Sequence, residues 1–455
     1  MKRTLITAVA LPPLLAVGVT AHAAGFKVNE QGMKAMAMGN AFVAQADDPS
    51  ALYYNPAGIG FFTGKRVALG ALTISVPQTE FTGTTPLTGN TPLGNGTSPV
   101  YEKAKRDLFI APTLYATWNI DSTPLTLGLG VNAIYPLAKS WDSSGAFRHL
   151  AENIAIKPIN IQPTVAWLFR DMNLSVAAGV DVAYTIVTMQ KAAYISTLTG
   201  GAPYGAFELG ELGVDATAID TGWNAGISWK PRPDLSVGVA YRSEITLHLD
   251  GDANFLATTP AGLKAMGFDY STIPSTALPF TRQRYTSSAS ATITLPDSLA
   301  FGVAWKPMER LTLEVDAERT GWSSYDKLEI RFDPASKLNV FNNRPAPKNW
   351  KDVWAYKIGA QFQVSPLLAL RGGYAYDNNP APDDTVGPEL PDSDRHNVSL
   401  GMGIHRDAFD IDLAYMWVHW LDRTTSSQNL QTLTGQNGTF KSDAHLLGAN
   451  ITVRF

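Results

Sequence analysis

The chain contains no cysteine in 455 residues, which excludes a disulfide framework and any thiolate metal site. Charge is sparse, at 17% of residues against 45% apolar, and the formal net charge is −4, more negative by two once Lys2 and Arg3 are removed. No basic field is left for nucleic acid. The seven histidines lack metal-ligand spacing and no serine stands in a nucleophile turn, so no metal, cofactor or catalytic residue is expected and the chain does not read as an enzyme. Long apolar runs are missing as well. Beyond Leu5 to Val19, no segment supplies the roughly 18 uninterrupted apolar residues a membrane helix needs.

That single run follows Met1-Lys2-Arg3 and precedes Ala21-His22-Ala23, whose alanines sit at −3 and −1 of a cleavage site. Residues 1–23 therefore read as a secretory signal peptide, with the mature chain starting at Ala24. An exported chain without a spanning helix can cross a membrane only with strands, which points to a bacterial outer membrane.

What the sequence does contain is alternation. Odd positions from Leu235 to Leu249 read Leu, Val, Val, Tyr, Ser, Ile, Leu, Leu, while the even positions from Ser236 to Asp250 read Ser, Gly, Ala, Arg, Glu, Thr, His, Asp. Side chains alternate faces along a strand, so this predicts one long tilted strand whose apolar face meets lipid. Leu311, Leu313, Val315 and Ala317 stand against Thr312, Glu314, Asp316 and Glu318 in the same way. At the chain end His445, Leu447, Ala449, Ile451, Val453 and Phe455 share a face.

Fourteen such runs begin near Lys65, Arg106, Pro124, Ile154, Asn173, Val214, Asp234, Tyr285, Arg310, Trp350, Pro366, Asp394, Ala408 and Lys441. Short turns such as Asp121-Ser122-Thr123, Arg170-Asp171-Met172, Pro231-Arg232-Pro233 and Pro307-Met308-Glu309 alternate with long links near 77–105, 135–153, 191–213, 251–284, 332–349, 378–393 and 422–440. Short turns on one rim and long loops on the other are the pattern of outer-membrane barrels, whose short turns face the periplasm. Trp118, Trp167, Trp229 and Trp305 all stand just before short turns, where an interfacial belt would lie. Terminal Phe455 resembles the signature by which the barrel-assembly machinery recognises such chains. Residues 24–64 do not alternate. Met33, Ala37, Ala41 and Ala44, with breaks at Gly39, Pro49 and Pro56, predict short helices apolar enough to need burial in a lumen. The expected architecture is an all-β, fourteen-stranded antiparallel transmembrane barrel over 65–455, plugged by an N-terminal helical hatch over 24–64, monomeric and surrounded by outer-membrane lipids.

Ala24-Gly25-Phe26, Ala46-Asp47-Asp48-Pro49-Ser50-Ala51 and Tyr54-Asn55-Pro56-Ala57-Gly58 resemble the hatch of FadL-type long-chain fatty acid transporters. The resemblance continues through Gly222-Trp223-Asn224-Ala225-Gly226-Ile227, Tyr241-Arg242-Ser243-Glu244, Leu295-Pro296-Asp297, Trp350-Lys351-Asp352 and Pro391-Asp392-Ser393-Asp394-Arg395. It implies passive, hatch-gated import of hydrophobic molecules, long-chain fatty acids first and aromatic or other hydrocarbons as the alternative, with lateral release into the membrane through a kinked third strand. By the same resemblance, Asn55, Pro56 and Ala57 are the gating element, and Phe26 belongs to an inner pocket. Cations for a ligand carboxylate fall on Lys191 and on Arg344, with Lys348 possible. The kink falls at Asn132, Tyr135 and Pro136, since proline removes a ladder donor. Phe147, Leu150, Phe255, Leu263, Met266 and Phe268 are candidates for an outer groove, and Arg319, Arg371 and Arg395 for a buried lumen network. Asn95-Gly96-Thr97 matches a sequon of the kind that arises by chance. A structural or phage-receptor barrel and an outer-membrane lipase are readings from other classes, and a TonB-driven receptor would need more strands and a larger plug.

Overall fold

The computed structural model describes residues 25–76, 79–85, 87–88, 91–92, 98–196, 206–258, 282–342, 345–425 and 437–455. The expected signal peptide, Ala24, Arg344, the loop residues Leu263, Met266 and Phe268, and Asn95-Gly96-Thr97 lie outside the described residues.

The chain forms a closed antiparallel barrel of fourteen strands. They are β1 Lys65–Val76, β2 Asp107–Asn119, β3 Leu125–Asn132 continued by Leu137–Ser140, β4 Asn153–Phe169, β5 Leu174–Ser196, β6 Ala206–Arg232, and β7 Leu235–Arg242 continued by Ile245–Ala257. There follow β8 Gln283–Leu295 continued by Ser298–Met308, β9 Leu311–Thr320, β10 Val353–Gln363, β11 Leu368–Asp377, β12 Arg395–His405, β13 Phe409–Trp420 and β14 Asp443–Arg454. Closure comes from β1 against β14, in register from Arg66↔Arg454 to Ser75↔His445. Closing the sheet on itself removes its free edges, which a lipid environment demands, and leaves a gap in the wall at the break in β3.

Side-chain alternation works as the residue pattern requires in β9 and β14. Thr312, Glu314, Asp316 and Glu318 are buried inward, and Leu447 and Ile451 are exposed outward. Trp118, Trp167, Trp229 and Trp305 all lie exposed at the short-turn end. The strands β5 and β6, at 23 and 27 residues, exceed the roughly 9–11 needed to span the bilayer, so they rise well beyond it. The long links expected at 191–213 and 251–284 are accordingly shorter than their composition indicates, because β5, β6 and β7 extend into them. The link at 135–153 likewise yields the upper piece of β3. Strand β10 begins at Val353 rather than Trp350, which turns inward instead.

The apolar face from Leu235 to Leu249 does not all meet lipid. Strand β7 breaks at Ser243-Glu244, opposite the Pro296-Asp297 break of β8, with Arg242↔Ser298 and Ile245↔Leu295 pairing on either side. Against β6 the register shifts by one residue across that break, from Asn224↔Arg242 to Thr217↔Asp250. One extra residue flips every side chain beyond it. Val237, Val239 and Tyr241 therefore point outward below the break, whereas Ile245, Leu247, Leu249, Ile293 and Leu295 are buried inward above it and His248 and Asp250 face out.

The lower lumen is polar and ion-paired. Arg242 pairs with Asp181, which also accepts from Asn160 (2.8 Å) and Asn224 (2.9 Å). Glu318 joins Lys27 and Lys357, and Arg371 meets Asp412 at 2.6 Å. Arg395 faces Asp377 at 3.6 Å. Unpaired, such buried charges would each cost several kcal/mol, so pairing is what lets this interior exist. Arg319 is not part of it. It lies on the outer face of β9, pairing with Asp297 (3.2 Å) and Asp352 (2.5 Å), because residue 319 alternates with the inward-facing Glu318.

Candidate functional site: a loop-covered cavity above a plugged lumen

Residues 25–64 fill the lumen as two single-turn α-helices, Met33–Met36 and Ala51–Tyr54, and a 3-10 helix, Pro56–Phe61. The segment between the first two is held by carboxylates of β9. Asp316 accepts from the N–H groups of Phe42 (2.7 Å) and Val43 (3.0 Å), and Glu314 from those of Ala44 (2.6 Å) and Gln45 (3.1 Å). Asn55 caps the 3-10 helix through Ala57 N–H (3.1 Å), while its amide donates to the carbonyls of Val43 (2.8 Å) and of Ile227 on β6 (3.0 Å). Gly226 and Gly238 line this seat, since a methyl group at either would strike Asn55 or Val43. Asn55, Pro56 and Ala57 thus sit low in the barrel, clasped to its wall. Beside Pro56 only a small void of about 30 Å³ remains.

At the other end of the segment Gly25 adopts a left-handed φ of +63°, and its N–H donates to Asp392 (2.8 Å). Burial pushes the Asp392 carboxyl up to about 6 although Arg395 and the Gly25 N–H favour its charge. Phe26 stands in an aromatic box, with ring centroids 4.8 Å from Trp322, 5.9 Å from Tyr325, 6.0 Å from Trp350 and 6.2 Å from Tyr135. Edge and tilted packing of this kind is favoured by the ring quadrupoles. The box was not legible in the sequence, because Trp322 and Tyr325 come from the β9–β10 loop and Tyr135 from the break in β3.

Above Phe26 lies a cavity of about 370 Å³. Its walls are the inward-turned upper strands, Val187, Met189, Leu249 and Ile293 among them, covered by loop residues such as Leu150 and Leu390. Lys191 and Lys348 both line it, so two of the expected cations meet Phe26 in one space. Lys348 is ion-paired to Glu389, a residue the sequence reading missed. Burial opposes the charge of Lys348, but the Glu389 carboxylate and Tyr325 outweigh it and hold its pKa above the usual lysine range. His149, also on the wall, is pushed down to about 4 by burial, with Lys191 acting in the same direction, and is neutral at pH 7. Phe147 and Phe255 do not line an open groove. Each is fully buried, Phe147 against Trp141, Phe81 and Phe440 beneath a four-stranded sheet of outer loops, and Phe255 against Phe341 and Tyr285.

The wall is incomplete beside this cavity. Five residues lead from Asn132 to Leu137 where four lead from Ile156 to Asn160, and residues 133–136 leave the sheet inward. Ala133 and Ile134 carbonyls accept from Gln31 (2.7 Å) and Val28 (2.8 Å), and the Tyr135 hydroxyl donates to the Pro296 carbonyl (2.9 Å). Asn132 is buried at the lower edge of the break. Strand β2 pairs with β3 only from Leu114↔Val131 to Asn119↔Thr126, so among the described residues the segment 107–113 has no strand partner on that side.

A closed barrel with an apolar outer band, a lumen plugged by its own N-terminal segment and an apolar cavity above the plug defines an outer-membrane transport barrel. The chain belongs to the outer membrane protein transport protein family (OMPP1/FadL/TodX), whose model matches residues 14–455. It is 24% identical to the long-chain fatty acid transport protein of Escherichia coli O6:H1 over 91% of this chain and 92% of that one. Its fold matches a FadL homologue from Pseudomonas aeruginosa at a TM-score of 0.79 and 23% identity, covering 95% of this chain and all of that one. The toluene transporter TodX of Pseudomonas putida matches at 0.69 and 16% identity, again over 95% of this chain and all of the other.

Proposed function

We propose that the protein carries long-chain fatty acids across the outer membrane by passive diffusion gated by its N-terminal segment. The observation that carries this reading is an apolar, loop-covered cavity holding Lys191 directly above a plugged lumen and beside a break in the wall. Each buried methylene favours such a cavity by about 0.8 kcal/mol, which draws an alkyl chain out of the hydrated sugar layer. The carboxylate then needs a cation, and Lys191 supplies it. The break in β3 at Asn132, Tyr135 and Pro136 offers a lateral exit, and movement of residues 25–64 about the Asn55-Pro56-Ala57 seat would open the cavity toward it. The role of residues 24–64 as a hatch belongs to this proposal, as do recognition of Phe455 by the assembly machinery and the absence of catalysis.

Aromatic hydrocarbons are the second reading, favoured by the Phe26 box and by the pairing of Lys348 with Glu389, which leaves the cavity short of cationic charge. Binding of oleate and of toluene to purified wild type and Lys191→Ala separates the two. The fatty acid reading expects Lys191→Ala to weaken oleate by about 10- to 100-fold, the worth of a charge-assisted hydrogen bond of ~1.5–3 kcal/mol, while toluene is unaffected. A wild type that takes toluene and ignores oleate would refute it.

A further inference from the structure

The loop that covers the cavity carries an acid with a specific placement. A turn over residues 387–390, closed by the Leu390 N–H on the Gly387 carbonyl (3.2 Å), presents Glu389 beside its tip. The turn is seated by the Trp141 indole N–H on the Pro388 carbonyl (2.9 Å) and by Thr385, whose hydroxyl donates to the Lys348 carbonyl. The Glu389 carboxylate takes the Lys348 ammonium, so one loop holds Lys348 by backbone and by charge. A methyl group at Gly387 would collide with that carboxylate, and glycine leaves the room it needs. The Lys348 and Glu389 side chains are only 5% and 18% exposed, where water screens their charges poorly. Lys191 lines the same cavity and feels the Glu389 carboxylate from farther off than Lys348 does, without an ion pair to a described residue.

We propose that Glu389 is a specificity-determining residue. It is a built-in carboxylate that fills the place beside Lys348, so the described lining of the cavity carries one net positive charge, centred on Lys191, and selects a monoanionic head group over a dianionic one. This rests on the fatty acid reading above. Among the described lining residues, two lysines and one glutamate leave a single positive charge, which balances one carboxylate. A phosphate monoester with two negative charges keeps one of them unbalanced in a shielded site and meets Glu389 as a like charge, which is discrimination by a repulsive element.

The test compares dodecanoate with dodecyl phosphate on the purified full-length protein at pH 8, above the second phosphate pKa of about 6. Wild type should prefer dodecanoate. Glu389→Gln should shift the ratio of the two affinities toward dodecyl phosphate by at least about tenfold, because the cavity loses one negative charge, while Glu389→Asp should keep the ratio near the wild-type value. A purely structural role would weaken both ligands together and leave the ratio unmoved. An unmoved ratio in Glu389→Gln, with dodecanoate binding still lost in Lys191→Ala, overturns this proposal alone. Dodecanoate binding that is absent, or indifferent to Lys191→Ala, overturns the fatty acid reading and this proposal with it.

Discussion

Lys191 and Lys348 are both cavity lysines, yet their surroundings divide their work. Lys348 is matched by Glu389, and Lys191 faces the apolar wall without an ion pair to a described residue. Gly25 shows a different constraint. Its φ of +63° is a conformation that costs an ordinary residue about 1–2 kcal/mol, and a methyl group there would collide with Trp322 and Trp350. Gly25→Ala should therefore displace Phe26 and weaken oleate binding while the barrel stays folded, which a binding titration beside a heat-denaturation curve would read. His149 makes the covering loop pH-sensitive. Its folded pKa of about 4 lies below its ordinary 6.5, so an opened loop takes up the proton more readily than the closed one. The closed loop keeps its full stability above about 6.5 and loses it progressively as pH falls toward 4. Hydrogen exchange of residues 141–152, normalised for the intrinsic rate, should rise across that window in wild type and stay flat in His149→Gln.

Strands β7 and β8 depend on their breaks. Without the break at Ser243-Glu244, unbroken alternation from the membrane face below would put His248 and Asp250 into the cavity and Leu247 into the aqueous layer. The paired breaks let one strand be apolar-out in lipid and apolar-in above it. The plug depends instead on β9, whose Glu314 and Asp316 grip the N–H groups of residues 42–45. Each such charge-assisted bond is worth about 1.5–3 kcal/mol, so the double variant Glu314→Gln, Asp316→Asn should loosen the plug without unfolding the barrel. Ion conductance of the variant in planar bilayers should exceed the wild-type level. An unchanged conductance would show that the plug is held by its packing alone.

For the molecule as a whole, topology assigns a side to each rim. The short turns at Pro231 and Pro307 lie on one rim and Ala257 and residues 332–342 on the other, toward which β5 to β7 rise, and the rule that short turns face the periplasm predicts which rim is outside. Because the chain has no native cysteine, single cysteines report cleanly. Ser336→Cys should label in intact cells with an impermeant maleimide, and Arg232→Cys should not. Labelling at residue 232 from outside would invert the orientation and place the cavity on the wrong side for uptake.

Strand number, the tryptophans at the short-turn rim and the buried N-terminal segment were readable in the residue pattern, because two-residue periodicity and turn spacing are local properties. The polar lumen was readable in part. Glu314, Asp316 and Glu318 alternate correctly, whereas Arg319, next to Glu318 in the chain, points to the opposite face and leaves the lumen network. The apolar run from Leu235 to Leu249 misled for a reason that periodicity cannot reveal. A one-residue shift against β6 leaves composition unchanged and turns half the run from lipid to cavity. Glu389 had no local signal, being a loop acid among many. Its meaning comes from Lys348, forty-one positions away, which a turn over 387–390 brings within ion-pairing distance once the barrel closes and the loops cover its mouth.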